Sequence, residues 1–207
     1  MSDAAIAPAH VDHAFFARPV VEVAADLLGW TVRHGETAGV IVETEAYHDS
    51  EPACHAYVGL TARTKTLFGP PGLAYVYRSY GVHALLNAVT EPEGVGAAVL
   101  IRALEPAEGI DVMRRRRGLD RPEDLTSGPG KLTQALGIGL HHNEGDLLTG
   151  PVRLEPPTGR WALLEHMVVA PRVGINRAMD LPWRFCALGS RCVSRPWPPG
   201  LRAGLAA

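Results

Sequence analysis

Residues 74–104 read AYVYRSYGVHALLNAVTEPEGVGAAVLIRAL, and this stretch decides the fold. Three β-rich runs, Ala74 to Tyr80, His83 to Thr90 and Ala97 to Leu104, are separated by turn chemistry at Gly81 and at Pro92-Glu93-Gly94. Short, consecutive strands of this kind predict antiparallel neighbours rather than a doubly wound parallel sheet. Side-chain alternation puts Tyr75 and Tyr77 on one face, and Tyr80 at the turn before Gly81, where a bulky ring can protrude.

Upstream, Val20, Val23, Ala24, Leu27 and Leu28 recur at helical spacing and stop at Gly29, a C-terminal cap. Thr31 to Arg33 and Val40 to Tyr47 read as strands, the second with Glu43, Glu45 and Tyr47 on one face. From His48 to Gly72 the density of Pro, Gly and small polar residues predicts a long loop, and loops of this length in compact domains are usually functional. Downstream, a helix ends on Arg114-Arg115-Arg116-Arg117 before Gly118, and a second is entered through Gly128-Pro129-Gly130-Lys131. Val152 to Leu154, Met167 to Ile175 and Trp183 to Ala187 read as strands.

At 207 residues and 46% hydrophobic, the chain has the size and apolar content of one domain. A formal charge of −2 and a pI near 6.5 exclude a globally basic binder, so contact with nucleic acid requires a local basic surface. Three cysteines, Cys54, Cys186 and Cys192, without CxxC spacing, fit neither a disulfide framework nor a zinc knuckle. Residues 1–13 read as a flexible arm without signal-peptide character, 14–195 as the domain and 196–207 as an irregular tail. No apolar run approaches the roughly 18 residues of a membrane span, so the expected setting is the cytoplasm.

The chemistry-bearing residues crowd between Glu43 and Arg102. Two glutamates on one strand face are too close to serve as opposed acid and base on one small substrate, so one is expected to act and the other to support. A single carboxylate can activate water for displacement at a sugar carbon; the alternative is a solvated strand face. The three tyrosines offer flat surfaces, and stacking on a base contributes about 1–3 kcal/mol. His55 can donate or accept at a bound ring, although a lone loop histidine is more often solvated. Asn87 and Arg102 interrupt apolar strands, so the amide needs partners and the guanidinium an anion such as Glu45, with or without an intervening water. The arginine run at 114–117 complements a helix dipole or meets phosphate, and the glycine-opened helix start beside Lys131 offers free N–H groups to an anion. His141 and His142 lack metal-ligand spacing and are read as loop residues.

At these residues the chain closely resembles the alkyladenine (3-methyladenine) DNA glycosylase family, of the human alkyladenine glycosylase type. The matching stretches are Phe15-Phe16-Ala17-Arg18-Pro19, Val42 to Tyr47, Tyr75-Val76-Tyr77 through Gly81, Leu100 to Pro106, Gly128 to Gly137 and Arg172-Val173-Gly174-Ile175, in family order. The resemblance implies an α+β fold, a single mixed domain around a curved antiparallel β-sheet with flanking helices and no helix-hairpin-helix. It implies a monomeric, monofunctional enzyme with no cofactor and no metal. Its partner would be double-stranded DNA, from which it excises alkylated or deaminated purines such as 3-methyladenine, 7-methylguanine, hypoxanthine and ethenoadenine. By position, Glu45 would deprotonate the attacking water, held by Arg102 and the Val173 carbonyl; Tyr47, His55 and Tyr77 would enclose the base; Asn87 would exclude normal guanine; and Tyr80 would wedge into the duplex. Lys131, Arg114 and Arg115 would meet the DNA backbone. Two alternatives remain: a non-catalytic nucleic-acid-binding module of related fold, and a hydrolase of free nucleosides.

Overall fold

The computed structural model describes residues 11–163 and 166–201. Most of the expected arm (1–10) and the end of the expected tail (202–207) lie outside the described residues. Asp12 and His13, assigned to that arm, engage the domain: the Asp12 carboxylate accepts from the Ala14 N–H at 2.9 Å, and His13 Nε2 lies 2.8 Å from Asp146 Oδ2.

Eight strands form one antiparallel sheet: β1 (Thr31–His34), β2 (Thr37–His48), β3 (Ala74–Ser79), β4 (His83–Val89), β5 (Ala97–Glu108), β6 (Val152–Glu155), β7 (Met167–Ala170) and β8 (Arg184–Ala187). The order is β3-β4-β5-β2-β1-β6, and β8 pairs with β2 beyond the end of β1 and carries β7. The helices are α1 (Val20–Asp26), α2 (Ile110–Arg117), α3 (Pro122–Leu125) and α4 (Pro129–Leu136). The three-strand reading of residues 74–104 therefore holds, and the class is α+β. No helix-hairpin-helix occurs among the described residues, and none of their helices is long and apolar enough to cross a membrane.

Alternation divides the sheet chemically. Val76, Leu86, Ala88, Val99, Ile101 and Leu104 point to the main core, where they meet α1 and α4 through Val23, Leu27, Leu132 and Leu136. Each fully buried aliphatic side chain of this kind contributes about 1.5–3 kcal/mol. The intervening residues Tyr75, Tyr77, Leu85, Asn87, Ala98 and Leu100 point the other way, into a cleft.

The β2–β5 ladder slips twice at the centre of the sheet. Ile41 pairs with Leu104, Glu43 with Ala103 and Thr44 with Ile101, so neither Val42 nor Arg102 has a partner in the register. Bulges bend a strand and re-aim the side chain at the irregularity, and the re-aimed residue here is Arg102.

Several expectations need correction. β7 stops at Ala170 instead of running to Ile175, because Pro171 has no N–H to continue the ladder. β5 runs four residues past Leu104, to Glu108. The loop from His48 to Gly72 contains two 3-10 turns, His55–Val58 and Lys65–Phe68, and α3 was unforeseen. His142 is buried rather than a free loop residue: its Nδ1 accepts from the Gly139 N–H at 3.0 Å and its Nε2 lies 3.1 Å from His34 Nε2.

Candidate active site

Both glutamates of β2 are fully buried, so the solvated-face alternative fails. Glu43 Oε1 accepts from Arg102 Nε at 2.9 Å, Arg184 Nε at 2.7 Å and Ser194 Oγ at 2.9 Å, and its Oε2 accepts from the Ser194 N–H at 2.7 Å. Four donors thus surround this carboxylate, three at Oε1 and one at Oε2, and two of them come from buried guanidinium groups. Glu45 is different. Its Oε1 accepts from the Val173 N–H at 2.8 Å, and its Oε2 accepts from Arg102 Nη1 at 3.1 Å and the Tyr47 hydroxyl at 2.7 Å, which leaves one site open on Oε1.

Burial pushes the Glu45 carboxyl above its ordinary value, against the opposing pull of Arg102, the Val173 N–H and Tyr47. A buried carboxylate with a raised pKa and a spare lone pair suits proton abstraction. Arg102 is itself desolvated, but Glu45 and Glu43 outweigh that cost and keep it charged. Its contact with Glu45 is direct and needs no bridging water.

The segment after β7 reaches the site through a second buried ion pair. Arg172 donates to Glu51 at 2.6 Å and 3.0 Å and to the Ala46 carbonyl at 2.9 Å, with its guanidinium 4.7 Å from the Tyr47 ring centroid. That bidentate clamp fixes the residue before Val173, and with it the N–H that reaches Glu45.

In front of the pair opens a cleft of about 780 Å³. Tyr47, Arg102 and Val173 line it where Glu45 lies buried behind them, and Tyr75, Tyr77, His55 and Asn87 line it along the sheet. The Tyr75 and Tyr77 rings stack with centroids 5.3 Å apart, and the His55 ring stands edge-on to Tyr77 at 4.6 Å. Asn87 is anchored across the β3–β4 ladder, its Nδ2 donating to the Tyr75 carbonyl at 3.0 Å.

Tyr80 stands at the tip of the β3–β4 hairpin with 89% of its surface exposed and a backbone φ of 48°. The left-handed region is costly for a bulky residue, and such strain persists where function demands it.

Arg63, Arg78, Arg102, Arg117, Lys131 and Arg177 line the cleft, and among the described residues no Asp or Glu does. A chain of net charge −2 thus has a local cationic surface. Of the three backbone candidates only Lys131 lies there. Arg114 is held by Asp111 Oδ1 at 2.8 Å and the Asp120 carbonyl at 3.0 Å, and Arg115 is exposed away from the cleft.

The family model described as Methylpurine-DNA glycosylase (MPG) matches residues 14–191. Among similar chains, one from Rhodopseudomonas palustris (strain ATCC BAA-98 / CGA009) is 53% identical over 184 residues, which is 89% of this chain and 87% of that one. Another, from Bradyrhizobium diazoefficiens, is 53% identical over 187 residues, covering 89% of this chain and 90% of its own. A third, from Methanoculleus marisnigri, is 53% identical over 186 residues, covering 88% and 97%. All three carry the name "Putative 3-methyladenine DNA glycosylase".

An antiparallel sheet with a carboxylate–guanidinium pair behind an aromatic, cationic cleft accords with that match, and the chain belongs to the methylpurine-DNA glycosylase family. It is a DNA glycosylase of the methylpurine class, an enzyme of base-excision repair.

Sequence reading missed Arg184, Arg172 as a clamp, and the cleft cations Arg63, Arg78 and Arg177. Arg184 and Arg172 carried a usable signal, since each is an arginine in or beside a strand of apolar neighbours.

Proposed function

We propose that the enzyme rotates a damaged purine out of double-stranded DNA into the cleft and hydrolyses its N-glycosidic bond with a water deprotonated by Glu45. The observation that carries this reading is the difference in partners between the two glutamates: Arg102, Tyr47 and Val173, the donors to Glu45, all line the cleft, whereas Glu43 is held by four donors, of which those from Arg184 and Ser194 come from outside it. Arg102 and the Val173 carbonyl hold the water. The negative charge of Glu45 also favours the oxocarbenium-like sugar that forms as the base departs.

Tyr47, His55 and Tyr77 enclose the base by stacking and hydrogen bonding. Asn87 crowds the position of guanine's exocyclic amine. Tyr80 enters the space vacated in the duplex and offsets the cost of unstacking, which a strained, exposed ring on a hairpin tip is suited to do. Lys131 and Arg177 hold the backbone, and Arg114 and Arg115 would meet phosphate only outside the cleft. The enzyme works as an intracellular monomer. Among the described residues Lys131 is the one lysine lining the cleft, and its Nζ hydrogen-bonds to Ser127 at 3.4 Å rather than to the Glu45–Arg102 pair, which supports water as the nucleophile and a reaction that stops at an abasic site.

Duplexes carrying single 3-methyladenine, 7-methylguanine, hypoxanthine or ethenoadenine lesions test the reading. Free base and an alkali-labile but uncut strand are expected. DNA binding without base release would favour a non-catalytic module, and release from free nucleosides with Tyr80→Ala unaffected would favour a small-molecule hydrolase.

A further inference from the structure

One wall of the cleft contains a run of polar contacts. Arg63 Nη2 lies 3.4 Å from His55 Nε2, and His55 Nδ1 lies 3.1 Å from the Tyr75 hydroxyl. All three residues line the cleft. A guanidinium only donates, so Nε2 of His55 accepts, and the neutral ring carries its proton on Nδ1. That N–H donates to Tyr75 Oη. The phenolic oxygen thus faces a donor on its protein side. No acceptor for its own proton occurs there among the described residues, and no carboxylate lines the cleft.

We propose that Arg63, His55 and Tyr75 form a directed hydrogen-bond chain that presents the Tyr75 hydroxyl proton to the departing base, and that this chain sets the balance between neutral and cationic lesions; the inference rests on the glycosylase reading above. When the sugar–nitrogen bond of a neutral purine breaks, its electron pair moves onto the base, and a donor backed by a cation stabilises that charge. The water oxygen bonds to the sugar carbon and one water proton goes to Glu45. The released base anion gains a proton from solvent as Glu45 returns one. A cationic lesion leaves as a neutral base, gains little from the donor and is opposed by the charge of Arg63.

Burial, and after it the Arg63 charge, lowers the His55 pKa, which keeps the ring neutral near pH 7. Burial raises the Tyr75 pKa, so its hydroxyl remains a donor.

Single-turnover excision of hypoxanthine and of 7-methylguanine by wild type, Tyr75→Phe, Arg63→Ala and Arg63→Lys tests the chain. Tyr75→Phe and Arg63→Ala should each slow hypoxanthine release about tenfold or more, the size of a charge-assisted hydrogen bond. Release of 7-methylguanine should stay within about threefold, Arg63→Lys should recover part of the loss, and the double variant should be no worse than the poorer single one. Arg63 is exposed, so its variants should fold. Equal losses on both lesions, or no loss on hypoxanthine, overturn the proposal, as does a wild type that releases 7-methylguanine but never hypoxanthine. A wild type that releases no base from any duplex overturns the glycosylase reading itself, and the chain with it.

Discussion

Glu43 and Glu45, two residues apart on one strand, share a single guanidinium: Arg102 donates from Nε to Glu43 at 2.9 Å and from Nη1 to Glu45 at 3.1 Å. The bulge that leaves Arg102 unpaired on β5 accompanies this shared contact. Glu43, bound by Arg102, Arg184 and Ser194, holds the arginine; Glu45, whose donors Arg102, Tyr47 and Val173 all line the cleft, is the proposed base.

The two glutamates should therefore respond differently to removal of charge. Glu43→Gln takes the counter-ion from two buried guanidinium groups and should cost about 3–5 kcal/mol of stability. Glu45→Gln removes a charge that burial already disfavours and should melt near wild type. Chemical denaturation of the two variants in parallel checks this.

Acid should switch activity off before it unfolds the enzyme through this group. Protonated Glu45 cannot take a proton from water, so excision should fall as pH drops through a folded pKa raised by burial. The folded state binds that proton more readily than the unfolded chain, so the same titration by itself adds stability as pH falls. A pH–rate profile under single-turnover conditions, alongside melting at each pH, separates the two.

Tyr80, as the proposed wedge, should trade stability for function. Its φ of 48° is free for glycine and strained for tyrosine, so Tyr80→Gly should leave stability unchanged or raise it by up to about 1 kcal/mol. Excision from duplex DNA should fall at least tenfold, more than from single strands, where no stack must be opened.

Arg172 acts by holding Val173. Arg172→Met breaks the bidentate contact with Glu51, frees the Val173 N–H from Glu45 and should lower excision at least tenfold while destabilising the fold. Glu51→Gln, which keeps an acceptor for the guanidinium, should be the milder of the two in both assays.

Binding should be strongly salt-dependent despite a net charge of −2, because the cleft wall has cations and no acids. Replacing Arg177 or Lys131 by Ala should weaken binding to all sequences alike and reduce the slope of log affinity against log salt by about one if that residue meets a phosphate.

The sheet was legible because its code is local. Alternating residues of β3, β4 and β5 separate apolar from functional side chains, and Gly81 and Pro92-Glu93-Gly94 mark the turns. Asn87 and Arg102 could be singled out for the same reason, since each interrupts an apolar strand, whereas Glu45 and Tyr77 were picked out from their neighbours by the family resemblance. The choice of Glu45 over Glu43 was not local, since it depends on Arg184 and Ser194, which lie far along the chain and reach Glu43 only through β8 and the segment after it. The cationic surface was equally hidden. A run of four arginines attracts notice, yet only Arg117 of that run lines the cleft, bonded there to the Leu125 carbonyl, while the other cleft cations come singly from separate segments.

The assignment of Glu45 as base is tested most directly by single-turnover excision of one damaged purine from a duplex by wild type and Glu45→Gln. The predicted result is a loss of about a hundredfold or more in the variant, with melting and DNA binding close to wild type. Wild-type turnover by Glu45→Gln would contradict the account, as would an equal catalytic loss in a Glu43→Gln protein that remains folded.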